Sequence, residues 1–163
     1  MNWLCRITSG VYQGGSLYHG TNKRFDSFDL NFAGARDWGD FGIGIYLSSS
    51  SNLATVYAHE AVKNNGGGEP VVCIVKANLS NIASFDELMD CINSIEVPIE
   101  KDLTNIKSDG LQSRPEIDSR KITECMISRG FDSAQVGQQF VVYDSSLLSI
   151  TRVVSTEEAQ WLP

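Results

Sequence analysis

Six short runs rich in Val, Ile and aromatic residues fall into an early and a late group. The early ones cover residues 16–19, 43–48 and 70–77; the late ones cover 131–135, 140–143 and 148–154. Each is bounded by Gly, Asp or Ser and has the length of a strand. Helical segments are fewer. Residues 52–63 follow a serine run that can supply an N-cap. Ser84-Phe85-Asp86-Glu87 has the capping-box pattern and opens a helix to about residue 95. Residues 116–129 carry apolar positions Ile117, Ile122, Met126 and Ile127, with Gly130 as the stop. Strands gather early and late with helices between, so the sequence predicts an α+β domain with mixed or antiparallel sheets, not a doubly wound α/β fold. The polar stretch 96–114 reads as a long loop.

A chain of 163 residues suffices for one well-cored domain, read as 1–163 with the motif-bearing core at about 16–154. No apolar run reaches membrane-spanning length, so no membrane partner is expected. The start, MNWLCRITSG, has one Arg and no long apolar region, so no secretory signal is expected. The formal net charge of −7 argues against non-specific binding to nucleic acid, which depends on neutralising phosphates. It leaves room for a local basic groove from Lys23, Arg24 and Arg36, or for scattered surface charge.

The four cysteines, Cys5, Cys73, Cys91 and Cys125, form no C-x-x-C pair, and the chain has two histidines. No structural zinc or other metal is expected. Cys73 lies in the apolar run Val71-Val72-Cys73-Ile74-Val75 and reads as core. At this cysteine density the expectation is no disulfide framework and a reducing compartment.

The run Leu17-Tyr18-His19-Gly20-Thr21 is followed by Gly42-Ile43-Gly44-Ile45-Tyr46, and Tyr57 comes eleven residues after Tyr46. This places a histidine, two tyrosines and several glycines where a flat, cationic aromatic ligand could be clamped. Gly42-x-Gly44 precedes strand residues and opens no helix, so a Rossmann reading fails, and there is no Walker A sequence. Near the C-terminus, Gly130-Phe131-Asp132 precedes Gln138-Gln139-Phe140-Val141-Val142-Tyr143-Asp144.

These pieces resemble, in order, the motifs of the diphtheria-toxin-like, or poly(ADP-ribose) polymerase-like, ADP-ribosyltransferases of bacterial or phage type. His19-Gly20-Thr21 resembles H-G-S/T, Gly42-Ile43-Gly44-Ile45-Tyr46 resembles G-x-G-I-Y, and Tyr57 resembles the second tyrosine. Gln139 stands where the family has a glutamate before an aromatic-apolar-apolar-aromatic-aspartate run. The match spans about residues 17–150. The resemblance implies two packed mixed or antiparallel sheets with flanking helices around an NAD cleft. NAD would be the co-substrate, with no metal.

Carried over by resemblance, His19 binds the adenosine ribose and Gly20 reads the nicotinamide carboxamide. Thr21 and Gly44 line the NAD site, Tyr46 and Tyr57 sandwich the nicotinamide ring, and Gln139 occupies the catalytic-acid position. Stacking and cation–π contacts suit that ring, at roughly 0.5–2 kcal/mol each. The segment Asp37-Trp38-Gly39-Asp40-Phe41 would lie over the cleft, where Trp38 or Asp40 contacts NAD or the acceptor, or Trp38 packs the loop. Two departures stand out. Gln139 can hydrogen-bond a ribose 2′-hydroxyl but brings no negative charge, which makes polymer synthesis unexpected. Ala54 stands three residues before Tyr57, where polymerase-type members often have a serine.

No obvious carboxylate substitutes for the missing one. Asp132 reads as a turn residue. Asp144 lies an odd number of residues from Gln139 and so faces the other way. Glu60, Glu116 and Glu124 read as solvated helix charges. The expected activity is mono-ADP-ribosylation of an unknown macromolecule, protein ahead of nucleic acid, in the manner of an effector or toxin with a possible neutralising partner. Such a protein would act in the cytoplasm or be exported into another cell. The alternatives are an NAD- or ADP-ribose-binding module that has lost catalysis, and, less favoured, an RNA 2′-phosphotransferase, whose basic phosphate-binding residues are not evident.

Overall fold

The computed structural model describes residues 12, 14–32, 40–95 and 118–163. Cys5, Arg36, Trp38 and the expected 96–114 loop lie outside the described residues. Among the described residues the architecture is α+β, with one mixed seven-stranded sheet and four helices. The strands are β1 (Leu17–Thr21), β2 (Ile45–Ser48), β3 (Val71–Ala77), β4 (Ile82–Ala83), β5 (Ser133–Val136), β6 (Gln139–Val142) and β7 (Leu148–Ser155). The helices are α1 (Ser51–Asn64), α2 (Phe85–Ser94), α3 (Ser119–Ser128) and the single turn α4 (Thr156–Ala159). No helix among the described residues is long and apolar enough to cross a membrane.

The sheet order is β4-β5-β6-β2-β1-β3-β7. β4 runs parallel to β5, and every other neighbouring pair is antiparallel. The expected two sheets are therefore corrected to one. β1 pairs with β3 along all its residues, from Leu17↔Val75 to Thr21↔Val71, and β2 pairs with β6 from Ile45↔Val142 to Ser48↔Gln139. Between β1 and β2 only Tyr18↔Ser48 is in register. Beyond that one pair, no further β1–β2 pairing forms.

Side chains alternate across a strand, so the sheet buries two faces. On one, Leu17, Ile45, Leu47, Cys73, Phe140 and Val142 form a core closed by loop residues that include Phe25 and Phe28. On the other, α2 and α3 cover Ala83, Val141 and Tyr143, while Tyr18, Val72, Ile74 and Val154 cluster with Ala54 of α1 and Ala159 of α4. Gly20 shows how closely α1 lies on β1: a Cβ there would sit 1.9 Å from the carbonyl oxygen of Ala54 and 2.6 Å from the nitrogen of Ala58.

Local signals account for the helix ends. Ser84 and Glu87 form the full capping box, with Ser84 N donating to Glu87 at 2.7 Å and Glu87 N donating to Ser84 Oγ at 3.3 Å. After α3, Gly130 takes φ 85°. Phe131 N then donates to the Met126 carbonyl and Gly130 N to that of Ile127, a Schellman ending.

The expectation of no disulfide is overturned. Cys91 of α2 and Cys125 of α3 are bonded, with Cα atoms 5.9 Å apart. The partners stand 34 residues apart in sequence, and packing of the two helices brings them together, so no local spacing announces the bond. Cys73 is buried and free, and burial pushes its thiol up to about 11.

Candidate functional site

Two pairs of the expected site residues meet near the place where β1 and β2 part: Gln139 with Tyr57, and His19 with Tyr46. Ser48 ends β2, and its Oγ accepts from Ser50 N at 2.9 Å. Ser50 then caps α1 by accepting from Leu53 N at 3.3 Å. This tight strand-to-helix turn sets Tyr57 two turns into α1. On the other side, β5 and β6 are joined by the two-residue turn Gly137-Gln138, in which Gly137 alone has a positive φ, 59°. The hairpin fixes Gln139 as the first residue of β6, opposite Ser48. Its side-chain Nε2 donates to the hydroxyl of Tyr57, 82 residues earlier in the chain.

His19 and Tyr46 form the second contact. The ring Nδ1 of His19 lies 2.8 Å from the main-chain oxygen of Tyr46. A carbonyl only accepts, so Nδ1 carries the proton in this contact. The ring is held edge-on to Phe28 and Phe25, at centroid distances of 5.3 and 6.0 Å. The bond also crosses the gap between β1 and β2 that strand pairing leaves open.

The Tyr46 ring is fixed through its hydroxyl, which donates to Gly42 O at 2.8 Å and accepts from Phe41 N at 3.2 Å. Tyr143 grips the same segment by donating to Phe41 O at 3.0 Å. Burial, with Tyr46 close by, raises the Tyr143 phenol well above its usual range. From α3, Thr123 holds the neighbouring residue: Ile43 N donates to its Oγ1 at 2.7 Å, and that hydroxyl lies 3.1 Å from Ile43 O. Gly42 adopts φ 103°, and a Cβ there would meet Thr123 Oγ1 at 2.7 Å.

Two glycines have packing roles. Gly44 lets β2 approach β6, since a Cβ would lie 2.7 Å from Val142 O. The missing side chain of Gly20 makes room for α1. Its main chain lies past the last β1–β2 pair, at an edge of β1 with no β2 residue opposite. Thr21 closes β1 opposite Val71. Trp38 lies outside the described residues.

The carboxylates weighed as substitutes serve the fold. Asp132 Oδ2 accepts from Ser80 N at 2.8 Å, Ser80 Oγ at 3.0 Å and Asn81 N at 2.9 Å, and its Oδ1 accepts from Ser133 Oγ at 2.8 Å. Burial alone would raise this carboxyl, and these hydrogen bonds outweigh it, leaving the group below its usual value. Asp144 accepts from Ser146 N at 2.9 Å, capping the turn at Ser145–Leu147. Among the described residues no cluster of three or more His, Cys, Asp or Glu could hold a metal.

Sequence reasoning missed the supports of the site. Phe25-x-x-Phe28 directly after the histidine motif was a visible apolar pair. Thr123 had no local signal, because its partner lies 80 residues away.

No protein-family model matches the chain, and no curated protein matches its sequence. Among solved structures, the chain is similar to a chain in the crystal structure of the M. tuberculosis MbcT–MbcA toxin–antitoxin complex. The TM-score is 0.53 at 12% identity, over 92% of this chain and 89% of that one. At that identity the likeness speaks for the fold alone, and the fold is that of a protein found in a toxin–antitoxin complex.

Proposed function

We propose that the chain is a toxin-type mono-ADP-ribosyltransferase that cleaves NAD at the nicotinamide–ribose bond and passes ADP-ribose to a macromolecule. The observation that carries this reading is the meeting of Gln139 with Tyr57 beside the His19–Tyr46 contact. These two contacts involve residues of β1, β2, α1 and β6, and the motif resemblance gives each of the four a role in the NAD site.

The chemistry follows from their types. Nicotinamide stacks between the Tyr46 ring, oriented by its hydroxyl bonds, and the Tyr57 ring, which is 37% exposed. The carboxamide pairs with the Gly20 main chain. His19, whose ring is oriented by its Nδ1 bond to the Tyr46 main chain, binds a ribose hydroxyl. The C1′–N bond breaks with its electron pair moving to the pyridinium nitrogen, which leaves neutral nicotinamide and an oxocarbenium-like ribose. A nucleophile of the acceptor bonds to C1′ and gives up its proton.

The amide of Gln139 orients the 2′-hydroxyl without offsetting the developing charge. Losing one such electrostatic stabiliser costs about 10²–10³ in rate, so turnover is slow. The neutrality of Gln139 and the engagement of its Nε2 also favour a second reading, an NAD- or ADP-ribose-binding module without turnover. A neutralising partner protein belongs to the main reading, supported by the toxin–antitoxin complex in which the similar fold occurs. NAD is cytoplasmic, so the action is assigned to that compartment, in the producing cell or in a cell that receives the protein. A protein acceptor suits the net charge of −7 better than a nucleic acid does.

The test is release of nicotinamide from labelled NAD by the purified protein, with and without cell lysate. Release with label carried onto lysate protein supports the transferase. Binding of NAD without release supports the second reading, and absence of both binding and release rejects the two together.

A further inference from the structure

Past Thr21 the chain turns back toward His19, and a second built element stands there. Asn22 is buried. Its Nδ2 donates to Gly67 O at 2.7 Å, and its own carbonyl accepts from Glu69 N at 3.1 Å. These bonds tie the loop before β3 to the end of β1 and set Glu69 opposite Arg24. The guanidinium grips the carboxylate with two donors, Nε to Oε2 at 3.2 Å and Nη2 to Oε1 at 2.9 Å. The next residue, Phe25, has its ring 6.0 Å from that of His19. Arg24 therefore stands where the chain folds over the histidine.

The form of the pair matters more than its strength. An exposed ion pair contributes little to stability, and the Arg24 side chain is 51% exposed. A guanidinium has five N–H donors in a planar fork. Glu69 occupies the edge made by Nε and Nη2, which leaves the Nη1/Nη2 edge for another anion. That edge matches two phosphate oxygens. A chain of net charge −7 repels anionic ligands, so a ligand carrying a diphosphate needs a local cation of this kind.

We infer that the Arg24–Glu69 pair is the phosphate seat of the cleft: Glu69 holds the guanidinium by one edge, and the other edge takes the diphosphate of a dinucleotide whose ribose lies at His19. This rests on the NAD reading above. Arg24 is then a ligand-binding residue, Glu69 positions it, and the seat accounts for ADP-ribose and NAD binding alike, since both carry the diphosphate.

The experiment is calorimetric titration of NAD, ADP-ribose and adenosine into wild type, Arg24→Ala and Arg24→Lys, at low and high salt. In Arg24→Ala the affinity for NAD and ADP-ribose falls about 10- to 100-fold, the loss of a charge-assisted bidentate contact. Adenosine binding is unchanged, and the salt dependence of ADP-ribose binding flattens. Arg24→Lys recovers only part of the affinity, because an ammonium cannot serve both anions through two edges. Wild-type affinity for ADP-ribose in Arg24→Ala overturns the phosphate seat and leaves the NAD reading standing. Equal losses for adenosine and ADP-ribose, with a lowered melting temperature, also overturn it, since the pair would then be structural. Wild type that binds neither dinucleotide nor ADP-ribose removes the NAD reading itself.

Discussion

The amide nitrogen of Gln139 donates to the hydroxyl of Tyr57, joining the start of β6 to the second turn of α1 across the opening between β1 and β2. A carboxylate at this position would reverse the bond: the tyrosine hydroxyl would donate, and a negative charge would face the ribose. Gln139→Glu is therefore expected to raise nicotinamide release from NAD by about 10²-fold, with little change in NAD affinity. Single-turnover release by the two proteins checks this. A variant no faster than wild type would move the charge-stabilising role to another residue.

Gly20 permits a sharper test of the fold around the site. A Cβ added there would meet main-chain atoms of α1, at 1.9 Å and 2.6 Å, and main chain cannot swing aside as a side chain can. Gly20→Ala is expected to cost about 3 kcal/mol or more, a fall of roughly 6–12 °C in melting temperature for a domain of this size. Gly15→Ala, with nothing within 4 Å of its Cβ, should melt as wild type does. Equal melting of the two variants would mean that α1 does not lie on β1 as described.

The legible parts of the molecule were those with local causes. The Ser84–Glu87 capping box and the Gly130 stop each act within one helical turn, and both helix ends fall where the sequence put them. Strand β4 was missed because it has only two residues. It exists through its pairing with β5 and through Asp132, whose carboxylate receives the main-chain N–H groups of Ser80 and Asn81 just before it. At the site, motif order named His19, Tyr46, Tyr57 and Gln139 but not how they are held. Thr123 and the Arg24–Glu69 pair act over distances in sequence that no spacing rule spans. The joining of the sheet at Tyr18↔Ser48 is of the same kind, since one register pair decides between one sheet and two.

The Cys91–Cys125 bond ties α2 to α3 across 34 residues of sequence. Loop-closure arguments place the stabilisation from such a bond at about 2–5 kcal/mol. Cys125 is two residues from Thr123, which holds Ile43, so the bond also steadies the segment to which the Tyr46 hydroxyl is anchored. Reduction, or Cys91→Ser, is expected to lower the urea midpoint and to speed hydrogen exchange at the Ile43 amide. Peptide mapping without reductant should recover the two cysteines linked. Free thiols at both positions, or an unchanged midpoint on reduction, would contradict the assignment.

Asp132 predicts the shape of the acid limb. Burial opposes its ionisation, but the four hydrogen bonds from Ser80, Asn81 and Ser133 hold its folded value below the unfolded 3.8. The unfolded chain then binds more protons than the folded one near that pH, so stability rises with pH there. The contribution is fully present above the unfolded value and is lost as pH falls through the lowered folded value. Asn at this position would turn an amide N–H₂ toward N–H and O–H donors. Asp132→Asn is expected to cost about 1–2 kcal/mol at neutral pH, at the modest end for hydrogen bonds to a charged group because solvent reaches the site. Urea melts from pH 7 down to pH 3 provide the check: the difference between variant and wild type should shrink below pH 4, and a constant difference would mean that the charge of Asp132 is not what ties β4 to the turn before β5.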